Sequence, residues 1–247
     1  MTLKNAEITT DAILGGRVTL LQPKNGYRVA IDPVLLAASI SPKEGERVLD
    51  VGAGTGAVAL CLANRVGFVE VSGLEVNPNY RDLALRSASI NGKNIAFHQG
   101  DLFSLPSVLT GQQFDYVLSN PPYWSPESSR PASPERSGAH FLDGVTLTDW
   151  IGRCLALVAS KGVLSLIIPA EKLDDALAAL MGAAGGVTLF PLWPKAEMPA
   201  KRVLLQARKR SATPLKMCPG LVLHRIDGAY TEAAQLVLRE GQALQFD

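Results

Sequence analysis

The tetrapeptide Asn120-Pro121-Pro122-Tyr123 ends an apolar run, Phe114-Asp115-Tyr116-Val117-Leu118-Ser119, downstream of a glycine-rich turn, Asp50-Val51-Gly52-Ala53-Gly54-Thr55-Gly56. Asn120 offers an amide oxygen and Pro121 a backbone carbonyl, two acceptors for the two N–H bonds of a planar amino group. An amino group on adenine or on a carboxamide has its lone pair spread into the attached π-system. A catalyst that alkylates such a nitrogen must draw the density back onto it, and accepting both N–H bonds does so. Tyr123 can fix the plane of the group. The chemistry these residues suit is direct in-line methyl transfer to an exocyclic nitrogen, carried by positioning and charge matching, with no covalent intermediate and no strong general base.

The glycine turn would hold the donor. Gly52, Gly54 and Gly56 lie between an apolar strand and a helix start, where missing Cβ atoms allow a tight turn and close approach of backbone N–H groups to a ligand. The same residues satisfy a dinucleotide fingerprint, with Glu75 about where a ribose-binding acid belongs, so a nicotinamide enzyme is the competing reading. Three features favour S-adenosylmethionine: Asp50 just before the turn, Asp101 just after the third core strand, and the Asn-Pro-Pro-Tyr motif after the fourth. In that reading Glu75 accepts bonds from the ribose hydroxyls and Asp101 from the adenine amino group. Asp50 and the glycines face the methionine end, and Asn120 borders both donor and acceptor. Asp101 also reads as a turn cap, because Gly100-Asp101 resembles a turn.

Those residues need a scaffold that brings strand ends together. From residue 47 onward apolar runs alternate with helix-like segments, the pattern of a Rossmann-like α/β fold: a doubly wound, mostly parallel sheet. Seven strands are expected, at 47–51, 69–75, 95–99, 114–119, 162–168, 187–192 and 202–206. Helices are expected at 56–66, 78–91, 147–159 and 171–181, with turns at Asn91-Gly92 and Gly185-Gly186. Ahead of this core, 18–22 and 26–31 flank the turn dipeptide Asn25-Gly26 and predict a β-hairpin. A short helix follows, with Asp32 as cap and Pro33 at the first helical position. We therefore expect a small N-terminal element, 1–45, packed on a catalytic domain, 46–247. A β-prone run at 221–224 and an amphipathic helix at 231–239 close the chain.

At 247 residues and 47% hydrophobic content the chain can bury a full core. Its three cysteines, Cys61, Cys154 and Cys218, form no close pair and no metal-ligand cluster, so neither a disulfide framework nor a metal is expected, and a reducing cytoplasm fits. No apolar stretch suggests a membrane span. The net charge of +1 hides a local bias. Lys195, Lys201, Arg202, Arg208, Lys209, Arg210, Lys216 and Arg225 stand against one acid, Glu197, which fits an RNA-facing surface or, equally, a solvated edge. The long connection 124–146 adds Arg130 and Arg136 beside the tetrapeptide and reads as a loop that serves the site. Trp124 and Trp193 can stack on unpaired bases or belong to the core. His98, His140 and His224 are scattered and none is assigned as a base.

At these motifs the sequence resembles class I S-adenosylmethionine-dependent methyltransferases. Three further segments carry the likeness: Gly26-Tyr27-Arg28 through Asp32-Pro33-Val34-Leu35-Leu36-Ala37, Pro134-Glu135-Arg136-Ser137-Gly138-Ala139-His140, and Lys201-Arg202-Val203-Leu204-Leu205. They resemble bacterial enzymes that methylate N6 of an anticodon-loop adenine in valine tRNA. The resemblance implies that Asn120 holds the adenine amino group, that Tyr123 stacks on a flipped base, and that Asp32 and Arg136 shape the pocket. Glutamine methyltransferases acting on translation release factors share Asn-Pro-Pro-Tyr and form the main alternative. They usually carry a helical N-terminal domain, whereas the segment before Arg47 reads as hairpin and short helix. A DNA adenine methyltransferase ranks third, for want of room for a target-recognition region.

Overall fold

The computed structural model describes residues 7–25, 28–122 and 144–246. Among them β1 (Ile8–Ile13), β2 (Val18–Pro23) and α1 (Asp32–Ala38) precede β3 (Arg47–Val51), α2 (Ala57–Arg65), β4 (Glu70–Glu75), α3 (Pro78–Ile90), β5 (Ala96–Gln99) and β6 (Phe114–Ser119). Then come α4 (Leu147–Leu157), β7 (Val158–Pro169), α5 (Leu173–Leu180), β8 (Ala184–Lys195), β9 (Arg202–Lys209), β10 (Lys216–Met217), β11 (Leu221–His224) and α6 (Glu232–Leu238).

The sheet runs β10-β8-β9-β7-β6-β3-β4-β5, with β11 also paired to β8, so nine strands replace the expected seven. The extra two are short. Both lie parallel to β8, β10 beside Thr188 and Leu189 and β11 beside Leu192 to Lys195, so they share one edge. Only β9 runs against its neighbours β7 and β8. β3 has parallel partners on both sides, β4 and β6. The chain fills one flank of β3 and then crosses to the other, which makes the carboxyl ends of β3 and β6 the point where a doubly wound sheet binds ligands. Helices cover both faces. α1, α2, α3 and α6 bury one apolar cluster, and α4 and α5 bury the other around Trp150, Ile151, Leu164 and Leu205.

The N-terminal hairpin is present, but its strands are β1 and β2, paired from Ile8↔Pro23 to Ile13↔Val18. Left-handed backbone at Leu14, Gly15 and Gly16 makes the reversal upstream of Asn25-Gly26. The expected partner segment does not pair as a strand, and side-chain bonds tie it to the hairpin. Gln22 Oε1 accepts from the Val29 N–H at 2.7 Å, and Arg28 donates to Asp11 and Thr9. Gly26 and Tyr27 lie outside the described residues. The hairpin is bonded to α3: Ser87 Oγ accepts from the Leu21 N–H, and Asn91 exchanges two bonds with the Thr19 backbone. Asp32 is the first residue of α1, not its cap.

Three other boundaries differ from expectation. α4 stops at Leu157 and β7 starts at once, with left-handed Lys161 and a register shift opposite Phe114 and Tyr116 absorbing the extra residues. A 3-10 turn at Ala170–Lys172 shortens the next helix to α5. Gly185-Gly186 is an irregularity inside β8, not a turn before it.

Candidate active site

Asp50 is the next-to-last residue of β3, in its buried stretch, paired with Gly73 on one side and Leu118 on the other. Its side chain is 1% exposed and Oδ2 is without a hydrogen-bond partner. Burial, reinforced by the Glu75 charge, pushes its pKa up from 3.8 to about 8, against the pull of the Ala59 backbone N–H. Unliganded at neutral pH, the carboxyl keeps its proton.

The turn after β3 is built as the glycines require. Gly52, Gly54 and Gly56 all have positive φ, and the N–H groups of Gly52 and Ala53 donate to Leu74 O at 2.9 and 3.0 Å. A Cβ on Gly56 would meet the Phe97 ring at 2.8 Å, so this glycine serves packing. A Cβ on Gly54 would meet nothing within 4 Å, so this part of the turn faces open space. Glu75, at the end of β4 and 6% exposed, fastens the turn: Oε2 accepts from the Gly54 N–H at 2.7 Å and Oε1 from the Asn77 N–H at 2.8 Å. A carboxylate has further lone pairs for ribose hydroxyls. Thr55 Oγ1 is buried without a partner in the same turn. An unsatisfied buried carboxyl, an open glycine cradle and an anchored acid form a donor set suited to a cationic amino-acid moiety joined to a nucleoside.

Asp101 stands two residues past β5, and its Oδ1 accepts from the Phe103 N–H at 2.9 Å. It caps a turn, one of the two roles expected of it. Asn120 follows β6, whose Ser119 pairs with Val51, so Asn120 and Gly52 are the next residues along neighbouring strands. Pro121 and Pro122 border a cavity of ≈ 770 Å³, within the range of about 300–1,000 Å³ usual for small-molecule sites. Its walls include Thr146 and Leu147 at the start of α4, Pro169 at the end of β7, Lys172, Lys201 and Arg202. Asp32 holds Arg202 through an Oδ2–Nε ion pair of 3.3 Å, so it reaches this cavity through a lining residue. Tyr123, Trp124, Arg130, Arg136 and His140 lie outside the described residues.

Sequence reasoning passed over Trp150 and Ser119. The Trp150 indole, 7% exposed on α4, donates from Nε1 to Ser119 Oγ at 3.1 Å, and Ser119 Oγ donates to Val51 O at 2.8 Å. A Cβ on Gly52 would lie 3.5 Å from the same indole, and the Phe103 ring is 6.3 Å away, tilted. One side chain therefore underlies the loops that follow β3, β5 and β6. The available signal was a lone tryptophan on the apolar side of the helix that opens after the long loop. A Thr146–Asp149 capping box fixes where that helix begins.

Trp193 sits in β8 with Nε1 donating to Pro219 O at 3.1 Å, a packing role. His98 is held below its usual pKa by burial and by Arg81, and His224 stacks on Tyr230. Among the described residues no helix is long and apolar enough to cross a membrane.

Residues 48–133 match a family model described as a methyltransferase domain. A crystal structure from Agrobacterium tumefaciens, named a predicted O-methyltransferase, superposes with a TM-score of 0.70 at 26% identity, covering 87% of this chain and 98% of that one. Fold and site together define a class I S-adenosylmethionine-dependent methyltransferase. Among curated proteins, a tRNA1(Val) (adenine(37)-N6)-methyltransferase of Actinobacillus pleuropneumoniae is 32% identical over 218 residues, 85% of this chain and 88% of its own. A protein of the same name from Porphyromonas gingivalis is 32% identical over 174 residues, 67% of this chain and 68% of its own. The chain belongs to the tRNA1(Val) (adenine(37)-N6)-methyltransferase family.

Proposed function

We propose that this protein methylates the exocyclic N6 of an adenine in tRNA, with the anticodon-loop adenine of valine tRNA as its target. The observation that carries this reading is Asn120-Pro121-Pro122 at the carboxyl end of β6, beside the glycine turn, with Pro121 and Pro122 lining a cavity of ≈ 770 Å³. The names of the curated relatives support tRNA as the substrate. The Agrobacterium neighbour is named for oxygen, but two acceptors at Asn120 and Pro121 suit an amino group, which has two N–H bonds to give, better than a hydroxyl with one.

S-adenosylmethionine supplies an electrophilic methyl group when bound. Asp50, Gly52, Gly54, Gly56, Glu75 and Asp101 would hold it, Asp50 as a carboxylate toward its positively charged end and Glu75 toward its ribose. Asn120 Oδ1 and the Pro121 carbonyl accept the two N–H bonds and localise the lone pair on nitrogen. Tyr123 and Trp124 stack on the extruded base, while Asp32, Arg130 and Arg136 border its pocket. Residues 1–45 form a brace for the catalytic domain, 46–247. The cytoplasm, where tRNA resides, is the matching compartment.

The test is transfer of labelled methyl from S-adenosylmethionine to RNA from cells lacking the gene, with total protein as parallel acceptor. Label released from valine tRNA as N6-methyladenosine is the expected result. Label in protein would transfer the same residues to glutamine methylation.

A further inference from the structure

Antiparallel pairing sorts the cation-rich stretch into two ends of the sheet. β7 and β8 finish at the same end as β3 and β6, whereas β9 starts there, with Arg202 opposite Pro169 and Leu192, and finishes at the far end, with Lys209 opposite Ala184. β11 runs parallel to β8 and brings His224 beside Lys195. Lys195, Lys201, Arg202 and Arg225 therefore stand at the site end. Arg208, Lys209 and Arg210 stand at the opposite end, and Lys216 pairs in the lower half of β8.

Three of the cations away from the site are tied to backbone carbonyls, and the guanidinium of Arg210, exposed at the far end, has no bond or ion pair among the described residues. Lys209 Nζ donates to Val158 O at 2.6 Å, Arg208 to Lys161 O at 2.6 Å, and Lys216 to Phe246 O at 2.8 Å, each spanning separate segments of chain. These are braces. At the site end Lys201 is exposed, and its ammonium has no bond or ion pair among the described residues. Lys195 Nζ donates to a neutral carbonyl, Ile226 O, at 3.2 Å, and its charge is felt by Asp227, which pairs with Arg225 at 2.8 Å. Across the cavity Lys172 is matched by Asp175. The loop joining β8 to β9 also carries Glu197, which forms no ion pair with Lys195 or Lys201 among the described residues, and Lys201 lines the cavity beside Arg202.

We propose that the phosphate backbone of the RNA crosses the loop between β8 and β9, held by Lys195 and Lys201, and that the cations at the far end of β9 take no part. This rests on the tRNA reading above. A phosphate path needs cations whose charge is not spent inside the protein, and it must pass within a nucleotide's reach of Asn120. Only the site end meets both conditions.

The experiment compares tRNA binding to the full chain over a range of salt, for wild type, Lys195→Glu/Lys201→Glu, Lys201→Gln alone, and Arg210→Glu/Lys216→Glu. The first double variant is expected to bind tRNA at least tenfold more weakly, and its log–log salt slope should be shallower by about two, one for each lost phosphate contact. Lys201→Gln should lose about one unit of slope, and it keeps the test open if charge reversal disturbs folding. S-adenosylmethionine affinity should stay unchanged in both. Arg210→Glu/Lys216→Glu should bind like wild type. Equal loss in the far-end variant, or none in the site-end variants, overturns the path while leaving the tRNA reading intact. If the wild type binds no tRNA, both fall.

Discussion

Asp50 stands on β3 and Asn120 just past the neighbouring β6, and in the proposed reaction the first serves the donor and the second the acceptor. Because the folded-state pKa of Asp50 is raised from 3.8 to about 8, the folded protein binds a proton that the unfolded chain has released across that window. Its contribution therefore opposes folding progressively as pH rises from about 4 to about 8, and the full penalty persists above. Asp50→Asn should raise the melting temperature of the unliganded protein, most at pH 8, while weakening S-adenosylmethionine by roughly tenfold or more through loss of a charge-assisted bond. Titration calorimetry at pH 7 in buffers of different ionisation enthalpy should show close to one proton released on binding by wild type and none by the variant. Asn120→Ala should behave oppositely. It touches the acceptor, so turnover should fall by roughly a hundredfold or more, the scale for losing one preorganised polar contact to a developing charge, with donor affinity nearly unchanged. Equal losses in both would remove Asn120 from its assigned role.

Among the elements, β3 and β6 match their expected bounds, because each is an apolar run that ends at a backbone break, the left-handed Gly52 in one case and Asn120 before Pro121-Pro122 in the other. Asp50, the glycines, Glu75 and Asn120 were legible for the same reason: they are the strand ends. The hairpin was read with the wrong partner because Asn25-Gly26 is a strong local signal, whereas the Gln22–Val29 bond found there instead is side chain to backbone. Trp150 was invisible, since nothing in sequence ties residue 150 to residues 52, 103 and 119. The contiguous cations from Lys195 to Lys216 suggested one face, and only the reversal at β9 shows two. One strand position makes a strict test of the packing beneath the turn. A Cβ on Gly73 would stand 2.5 Å from the Phe97 ring and 2.9 Å from Ala53. Gly73→Ala should cost about 1–3 kcal/mol in denaturant unfolding, the usual range for overpacking, and Phe97→Leu in the same chain should recover part of it, because the Ala53 contact remains.

At the scale of the molecule, two apolar layers grip the sheet, and the chain's last segment closes on its first. Leu244 N donates to Ala38 O at 2.9 Å, Phe246 packs on Phe190, and Arg17 pairs with Glu240. Helix α4 lies where one of these layers meets the strand ends. Its Trp150 bears at once on the glycine turn, proposed to hold the donor, and on Ser119, the neighbour of Asn120, proposed to hold the acceptor. Any shift of α4 made by an arriving base is thus transmitted to Gly52, and thermodynamic linkage makes the effect mutual: tRNA must change the affinity for S-adenosylmethionine by the same factor as S-adenosylmethionine changes the affinity for tRNA. Measured dissociation constants for each ligand with and without the other should show that factor in wild type and a smaller one in Trp150→Phe, which drops the bond to Ser119 and part of the ring beside Gly52. If that factor is found, the Trp150 indole is the side chain through which the two binding events are joined.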